Sequence, residues 1–295
     1  MDRTTTIRVV TWNVEGVGTG NRSNPDARAH LEGIAAAIAR MDADIVCLQE
    51  IKADDVAAAG VVSELAQRTG LRARMAGDMP VISHGWRRLR TAILWSARVV
   101  PLAGTLRAYP DVPGLVRVDA ELDGAVRLRL ASYHARLGIT ARLHMAEQVT
   151  ADLIDGPPAV VGMDRNAIGC GDPEPPRDLW YPRRVLSATR GRDGRANEDR
   201  ATAYYFAAAE LRDIGDLSPW TPTTGHAPHD EHARYGVKRR IDALYLSLVI
   251  AKARRSYYVE KGSPLADHCA VVADLDMAEL VAATRPATAV RAGAR

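Results

Sequence analysis

Short apolar stretches that end in, or begin from, polar side chains recur along this chain, and they constrain its fold more than any other feature. Each stretch has the length of a buried strand, whereas a polar group at its end is costly to bury without a partner. Strand ends on one edge of a sheet converge on one crevice, so we expect these polar groups to share a site. They are Asn13, Glu15, Glu50, His134, Asp164, Asn166, Asp242, Asp267 and His268.

The stretch "AVVGMDRN", residues 159–166, shows the pattern most clearly. Side chains two residues apart in extended backbone point to the same side, so Asp164 and Asn166 should face one direction and Arg165 the other. A lone aspartate or asparagine at a strand end is more often a cap or turn residue, and a lone strand histidine is more often structural. Six such ends in one chain favour a shared functional site instead.

The order of elements indicates a mixed α/β fold. Strands are predicted at "TTIRVVTWNV", "ADIVCLQE", "RRIDALYLSLVI" and "CAVVADL", and "VRVDAELDGAVRLRLASYH" predicts a hairpin with an Asp-Gly turn at residues 123–124. A helix is predicted from Asn24 as N-cap, a second one closed by Gly70, and a third over about 140–153, before the strand 159–163. We expect one domain over residues 1–282 and a disordered tail over 283–295.

Composition narrows the class of protein. The chain has 295 residues, is 47% hydrophobic and 25% charged, and carries a formal charge of +3, as an ordinary globular protein does. Its three cysteines, Cys47, Cys170 and Cys269, form no CxxC pair, which argues against a disulfide framework or a zinc knuckle. No signal-peptide core or membrane-length apolar run is present, so we expect a cytoplasmic monomer without a membrane partner.

The residue types at the strand ends indicate hydrolysis at phosphorus. Carboxylates such as Glu15, Glu50 and Asp267 are hard oxygen ligands that suit Mg²⁺ or Mn²⁺. Asparagine amides can donate to a phosphate without adding negative charge, and histidines can move protons near neutral pH. A divalent metal, amide donors and acid–base groups are the parts that phosphoester hydrolysis needs.

Six motifs, taken in order, resemble the endonuclease/exonuclease/phosphatase superfamily. They are "TWNVEG", "LQE", "SYH", "GMDRN", "RRIDALYLS" and "ADHCAVVADL", and they run from Thr11 to Leu275. Each motif is short, but six in the same order are specific. The resemblance implies a four-layer α/β sandwich of the DNase I-like type, in which two mixed β-sheets pack face to face with helices outside. It also implies metal-dependent phosphoester hydrolysis.

The resemblance also implies roles, position by position. The implied metal ligands are Glu50, as the principal one, and Asn13, Glu15 and Asp267. The implied catalytic residues are Asp164, which activates or orients the attacking water, Asn166, which holds the phosphate, His268, which pairs with Asp242, and His134, the second histidine of the pancreatic deoxyribonuclease branch.

Three departures from the family pattern stand out. Met163 takes the place of the usual glycine before the aspartate, and Ala266 takes the place of a serine before Asp267. The pancreatic-type branch supports its second histidine with an acidic residue from the middle of the chain. No Asp or Glu occurs between Met79 and Pro110, which leaves two roles open for His134: general acid or phosphate ligand.

The substrate class follows by comparison within the superfamily. "KRRIDAL" lacks the signature of the inositol phosphatases, and no export signal suggests a sphingomyelinase, which leaves a nuclease acting on DNA. Arg87, Arg88 and Arg240 are the predicted contacts to backbone phosphates, with solvation or ion pairing as the alternative. Loop tryptophans, Trp86, Trp180 and Trp220, either stack on bases or belong to the core. Two alternatives to a DNA nuclease remain: a phosphatase or phosphodiesterase for a small nucleotide or metabolite, and a non-catalytic binding protein.

Overall fold

The computed structural model describes residues 3–18, 25–86, 88–176, 189–190, 196–226, 237–260 and 265–285. Five α-helices occur in this part of the chain. They are α1 (Pro25–Met41), α2 (Asp55–Thr69), α3 (Ile139–Ile154), α4 (Ala201–Ala208) and α5 (Met277–Thr284).

The strands of the described residues follow in chain order. They are β1 (Thr6–Asn13), β2 (Ile45–Lys52), β3 (Arg74–Met75), β4 (Met79–Pro80), β5 (Leu89–Trp95), β6 (Val99–Pro101), β7 (Arg107–Ala108), β8 (Leu115–Leu122), β9 (Val126–His134), β10 (Ala159–Asp164), β11 (Thr189–Arg190), β12 (Ala196–Asn197), β13 (Leu211–Asp213), β14 (Asp242–Ser247), β15 (Arg254–Glu260) and β16 (Ala270–Asp276).

Two large mixed sheets organise these strands. The first has the order β15-β16-β1-β2-β5, with β1 and β2 parallel and the other neighbours antiparallel. The second has the order β13-β14-β10-β9-β8-β6, with β9 and β10 parallel, and β7 also pairs with β8. In each sheet a parallel pair therefore lies near the centre, and its two strands end on the same edge.

Three apolar clusters show the layers. One fills the space between the two sheets, a second lies between the first sheet and helices α1 and α2, and a third lies between the second sheet and helices α3 and α4. Successive residues of one strand belong to different clusters, as Val9 and Val10 of β1 do, because side chains alternate across a strand. The predicted four-layer α/β sandwich is therefore confirmed.

The strand β10 explains why a methionine precedes its aspartate. Gly162 faces the opposite sheet, and a Cβ atom there would clash with Cys47 and come within 2.8 Å of Thr11 Cβ. Met163 faces the other way, into the cluster below α3, and is fully buried. The glycine is needed at 162, where the sheets approach each other, and the helix side has room for the methionine.

Most of the predicted elements are present, with small differences at the ends. Helix α2 ends at Gly70, which has φ 73° as a left-handed C-cap. Helix α5 continues through Ala283 and Thr284, which the sequence analysis placed in the tail; residues 286–295 and the N-cap Asn24 lie outside the described residues. Within the described part, no helix is long and apolar enough to cross a membrane.

Candidate active site

The ends of central strands from both sheets meet at one edge of the sandwich. Strands β1 and β2 of the first sheet bring Asn13 and Glu50 there. In the second sheet, Asp164 of the parallel strand β10 lies in register with His134 of β9 on one side and with Asp242 of β14 on the other. The segment before β16 adds the remaining predicted groups, Asp267 and His268. The topology therefore brings these predicted polar residues together at one edge of the sandwich.

Three of the predicted residues have left-handed backbone. Glu15, Glu50 and Asn166 have φ angles of 45°, 61° and 49°. Glu50 lies where the β2–β5 pairing shifts register between Leu48 and Ile51, so a bulge re-aims its side chain. Such conformations are uncommon for residues other than glycine and concentrate at functional sites.

Four side chains form the centre of the site, which we call the carboxylate centre: Asn13, Glu50, His134 and Asp164. Asn13 Nδ2 donates to Glu50 Oε1 at 3.1 Å and to Asp164 Oδ2 at 3.0 Å, and so holds the two carboxylates together. His134 Nε2 lies 3.4 Å from Asp164 Oδ2 and 3.7 Å from Glu50 Oε1. Glu50 and Asp164 are thus the two carboxylates near His134, and both face its Nε2 atom. Neither is the mid-chain acidic residue that supports this histidine in the pancreatic-type branch.

Asn166 is directed mainly toward the protein. Its Nδ2 donates to Ala135 O at 2.7 Å and lies 3.2 Å from His134 Nε2, while its backbone N–H donates to Asp164 Oδ1 at 2.8 Å. Its amide nitrogen therefore orients His134 and closes the turn after β10. A phosphate that binds this amide would have to compete with these two neighbours.

His268 and Asp242 form a buried pair, the histidine–aspartate dyad. His268 Nδ1 lies 2.8 Å from Asp242 Oδ2, and the two residues are 6% and 0% exposed. Trp12 Nε1 donates to the carbonyl of His268 at 2.9 Å, and Thr223 Oγ1 accepts from the backbone N–H of Asp242 at 3.2 Å. With Nδ1 facing Asp242, the other ring nitrogen of His268, Nε2, lies 3.8 Å from Asp267 Oδ1.

The charges of these groups depend on one another. Burial raises the pKa of Asp164, but the neighbouring His268 and His134 outweigh it, and the pKa lies below its ordinary value. Burial also raises the pKa of Asp242, and His268 offsets this only in part. Burial lowers the pKa of His268, but Asp242, Asp267 and Asp164 together raise it well above 6.5. The preferred state near neutral pH is an ionised Asp164 beside a protonated His268.

Glu15 and Asp267 tie the two sides of the site together. The backbone N–H of Asp267 donates to Glu15 Oε2 at 2.8 Å, and the backbone N–H of Glu15 donates to Asn13 Oδ1 at 3.1 Å. The oxygen of Asn13, which the sequence analysis placed on a metal, is therefore turned to a backbone group. Glu15 acts in the same way as a brace between the loop after β1 and the loop before β16.

The donor set of the carboxylate centre fits a divalent cation. Ligand atoms of Glu50, His134 and Asp164 lie within 4.8 Å of one another, and those of Asp164, Asp242 and His268 do so as well. The carboxylates of Glu50 and Asp164 suit a hard cation such as Mg²⁺ or Mn²⁺, and no cysteine belongs to either group. Asp164 belongs to both groups and is the point at which they meet.

Two of the predicted phosphate-binding arginines, Arg88 and Arg240, lie in different environments. Arg88 is exposed, with its guanidinium 3.7 Å from Asp54, and Arg87 lies outside the described residues. Arg240 is only 2% exposed, and its guanidinium contacts Asp172, Asp213 and Asp216. The prediction that Arg240 contacts a substrate phosphate is therefore corrected: three carboxylates enclose it in the interior.

A buried network that the sequence analysis did not predict surrounds Arg240. Arg165, fully buried between Asp164 and Asn166 in the chain, contacts Asp213 at 2.6 Å and Asp172 at 3.1 Å and also donates to Arg240 O at 2.8 Å. We call the five side chains the arginine–aspartate network: Arg165, Asp172, Asp213, Asp216 and Arg240. Residues that contact each other in this network are up to 75 positions apart in the chain, so no local sequence pattern predicts it.

Comparisons with known proteins agree with this geometry at the level of the fold. No curated protein matches the chain. An AP endonuclease from Archaeoglobus fulgidus is similar over 92% of this chain and 100% of its own, with 17% identity and a TM-score of 0.64. A 3′ phosphatase, NExo from Neisseria bound to a product DNA hairpin, is similar over 92% and 99%, with 16% identity and a TM-score of 0.61. At these identities the likeness shows the fold alone.

The family comparison reaches further than the structural ones. The model of the endonuclease/exonuclease/phosphatase family matches residues 10–255. This range contains the carboxylate centre and Asp242 of the dyad, although His268 lies beyond its end. The chain therefore belongs to the endonuclease/exonuclease/phosphatase family, whose members are metal-dependent phosphoesterases.

Proposed function

We propose that this single-domain protein hydrolyses phosphodiester bonds in DNA with the help of Mg²⁺ or Mn²⁺. The observation that carries the proposal is the position of Asp164, a buried carboxylate that belongs both to the group with Glu50 and His134 and to the group with Asp242 and His268. A base and a cation held on either side of one small space are what attack on a phosphoester requires.

Glu50 and Asp164 are the residues that would hold the cation. Glu50 is the more accessible of the two, with 27% of its side chain exposed, and Asn13 holds both carboxylates in place. Glu15 and Asp267, predicted as further ligands, lie together on the other side of Asn13. When bound, the cation supplies Lewis-acid neutralisation of the charge that develops on the phosphate.

The chain's own groups take the proton of the attacking water and stabilise the phosphate, while the P–O bond to the leaving oxygen breaks and that oxygen takes a proton from bulk water. Asp164, ionised and fixed by Asn13 and Asn166, orients the attacking water and accepts its proton. His268, held by Asp242, presents Nε2–H to a phosphoryl oxygen and stabilises the charge that builds there. Asp242 fixes the tautomer of the ring, because Nδ1 is committed to its carboxylate. His134 and Asn166 would bind the phosphate in exchange for their contact with each other, which joins Asn166 Nδ2 and His134 Nε2 at 3.2 Å.

The choice of DNA as substrate rests on similarity and on charge. The similar structures include an AP endonuclease, a phosphatase bound to a DNA hairpin and the endonuclease domain of a retrotransposon. The chain's formal charge of +3 is compatible with a polyanionic partner. Arg88, and the neighbouring Arg87, remain the proposed contacts to the DNA backbone.

A plasmid-nicking assay tests the proposal. The wild type should nick supercoiled DNA with Mg²⁺ or Mn²⁺, EDTA should abolish nicking, and His268→Ala should reduce it strongly. Arg40→Gln, a change on an exposed end of α1, serves as a control that should leave the rate unchanged. Intact plasmid with every divalent cation would overturn the DNA assignment, and a fully active His268→Ala would overturn the role of the dyad.

A cavity beside the dyad favours one alternative substrate. It has a volume of about 500 Å³ and is lined by Trp220, Pro222, Thr224, Gly225, His226, Lys238 and Cys269. Cys269 follows His268 directly, and the space is large enough for one nucleotide. If the plasmid stays intact, hydrolysis of mononucleotide esters is the next activity to measure, since an aromatic ring and a lysine are suited to a base and a phosphate.

A further inference from the structure

Arg136 and Trp86 form a stacked pair beside the active site. The guanidinium carbon of Arg136 lies 5.2 Å from the centroid of the Trp86 ring, within the range of a cation–π interaction. Trp86 belongs to the loop before β5 and exchanges backbone hydrogen bonds with Leu89, which closes a tight turn. The indole therefore supports the arginine from a neighbouring segment of the chain.

The backbone places Arg136 at the rim of the site. Ala135, between His134 and Arg136, donates its N–H to Asp164 O at 2.8 Å and accepts from Asn166 Nδ2 at 2.7 Å. Arg136 is thus the first residue beyond a segment that the catalytic residues themselves hold. Its own carbonyl accepts from Arg142 Nη1 at 3.2 Å, so the start of the segment leading into α3 is fixed as well.

Among the described residues, no acidic side chain balances the charge of Arg136. No carboxylate of the described residues forms an ion pair with it, and its buried Nε has no hydrogen-bond acceptor there. Other arginines nearby differ: Arg142 is paired with Asp199 at 2.7 Å, and Arg165 with two aspartates. A half-buried cation with a supporting ring and no acidic partner is suited to an anionic ligand.

We propose that Arg136, stacked on Trp86, binds a second, non-reacting phosphate of a polynucleotide strand. A guanidinium that lies against an aromatic ring still presents its N–H edge, which matches two oxygens of a phosphate. Neighbouring phosphates of a strand lie within a few ångströms of the scissile one, and Arg136 lies one residue outside the catalytic segment. This inference rests on the proposed phosphodiesterase function and adds a strand-binding subsite to it.

The test compares a substrate that has one phosphate with a substrate that has many. Bis(4-nitrophenyl) phosphate offers only the reacting group, whereas single-stranded decathymidylate offers phosphates on both sides of each bond. For Arg136→Gln we expect KM for decathymidylate to rise about tenfold and the salt dependence of binding to weaken by about one phosphate contact, with the small diester unaffected within about twofold. Arg136→Lys and Trp86→Leu should give smaller increases in KM.

The controls separate this inference from the function on which it rests. Arg40→Gln makes the same charge change on an exposed helix end and should leave both substrates unchanged. Equal losses on both substrates would indicate a distorted catalytic segment and overturn the subsite, as would unchanged kinetics on decathymidylate. If the wild type hydrolyses neither substrate, the proposed function fails. Binding of fluorescein-labelled decathymidylate in EDTA then decides: a weaker complex for Arg136→Gln supports the subsite, and equal or undetectable binding overturns it.

Discussion

Two groups of buried charges meet at the end of β10, and they are balanced in different ways. In the arginine–aspartate network, three carboxylates surround two guanidinium groups that cannot lose their charge. In the active site, the cationic partners of Glu50, Asp164 and Asp242 among the described residues are two histidines. The first group is closed by guanidinium cations that keep their charge, whereas imidazole side chains take that place in the second.

The alternation of one segment separates the two groups. Asp164 and Asn166 contact Asn13 and His134 of the active site, and Arg165 between them reaches the network. Burial opposes the charge of Arg165, but its aspartate and tyrosine neighbours raise its pKa well above the usual value, whereas burial raises the pKa of Asp242. We infer that the buried charges of the arginine–aspartate network stabilise the fold, and that the buried carboxylates paired with histidines take part in the proposed reaction.

The largest expected effect is on activity. Asp164→Asn keeps the shape of the side chain but removes the carboxylate proposed to orient the water, so kcat/KM should fall about 10³-fold. The free energy of unfolding should change much less than it does in a variant of the network. Steady-state hydrolysis of bis(4-nitrophenyl) phosphate and urea denaturation measure the two quantities. More than a tenth of wild-type activity in this variant would remove Asp164 from the proposed mechanism.

The next effect is on stability. Asp213→Asn leaves Arg165 and Arg240 without one buried partner, and breaking a buried ion pair in this way costs about 3–5 kcal/mol. Urea denaturation should show this loss. The matched control is Asp78→Asn, which removes an exposed carboxylate paired with Arg74 and should cost less than about 1 kcal/mol. Equal losses in the two variants would mean that the network does not stabilise the fold.

The strands that carry the active site could be predicted from the sequence, whereas the arginine–aspartate network could not. Strands with apolar periodicity and polar ends were predictable, because their pattern is local and the family motifs lie on them. Strand β15 escaped prediction, since most of its residues are at least partly exposed and it forms an edge of its sheet. Helix α4 follows a polar loop and offers little amphipathic pattern.

The misassigned arginines have a similar cause. Arg240 was predicted to bind phosphate because "KRR" reads as a basic surface cluster, but its three acidic partners lie 24, 27 and 68 residues away in the chain. Arg165 was left without a role for the same reason. Partners so distant in the chain become neighbours only when the chain folds. The sequence therefore shows that Arg165 and Arg240 are cationic, but it does not show that their side chains are buried.

The third prediction concerns the metal. If the active site lacks a permanent cation, Mg²⁺ should stabilise the protein, by about 2.7 kcal/mol at one hundred times its dissociation constant. Glu50→Gln should remove most of this stabilisation, because it removes a proposed ligand. Asp213→Asn should keep the stabilisation by Mg²⁺, although this variant is less stable than the wild type without the ion. Thermal denaturation with increasing Mg²⁺ measures the shifts, and an equal shift in wild type and Glu50→Gln would place the metal elsewhere.

The smallest effect is the response of the network to acid. Burial raises the pKa of Asp213, but Arg165 and Arg240 outweigh it and lower the value below 3.8. A carboxyl group with a lowered folded-state pKa contributes stability above the unfolded value and loses it as the pH falls through the folded one. Wild type and Asp213→Asn should therefore differ by a constant amount from pH 7 to about pH 5, and the difference should begin to shrink as the pH falls below about 4. An undiminished difference at pH 3 would show that packing, and not the charge of Asp213, stabilises the segment that presents Asp164 and Asn166.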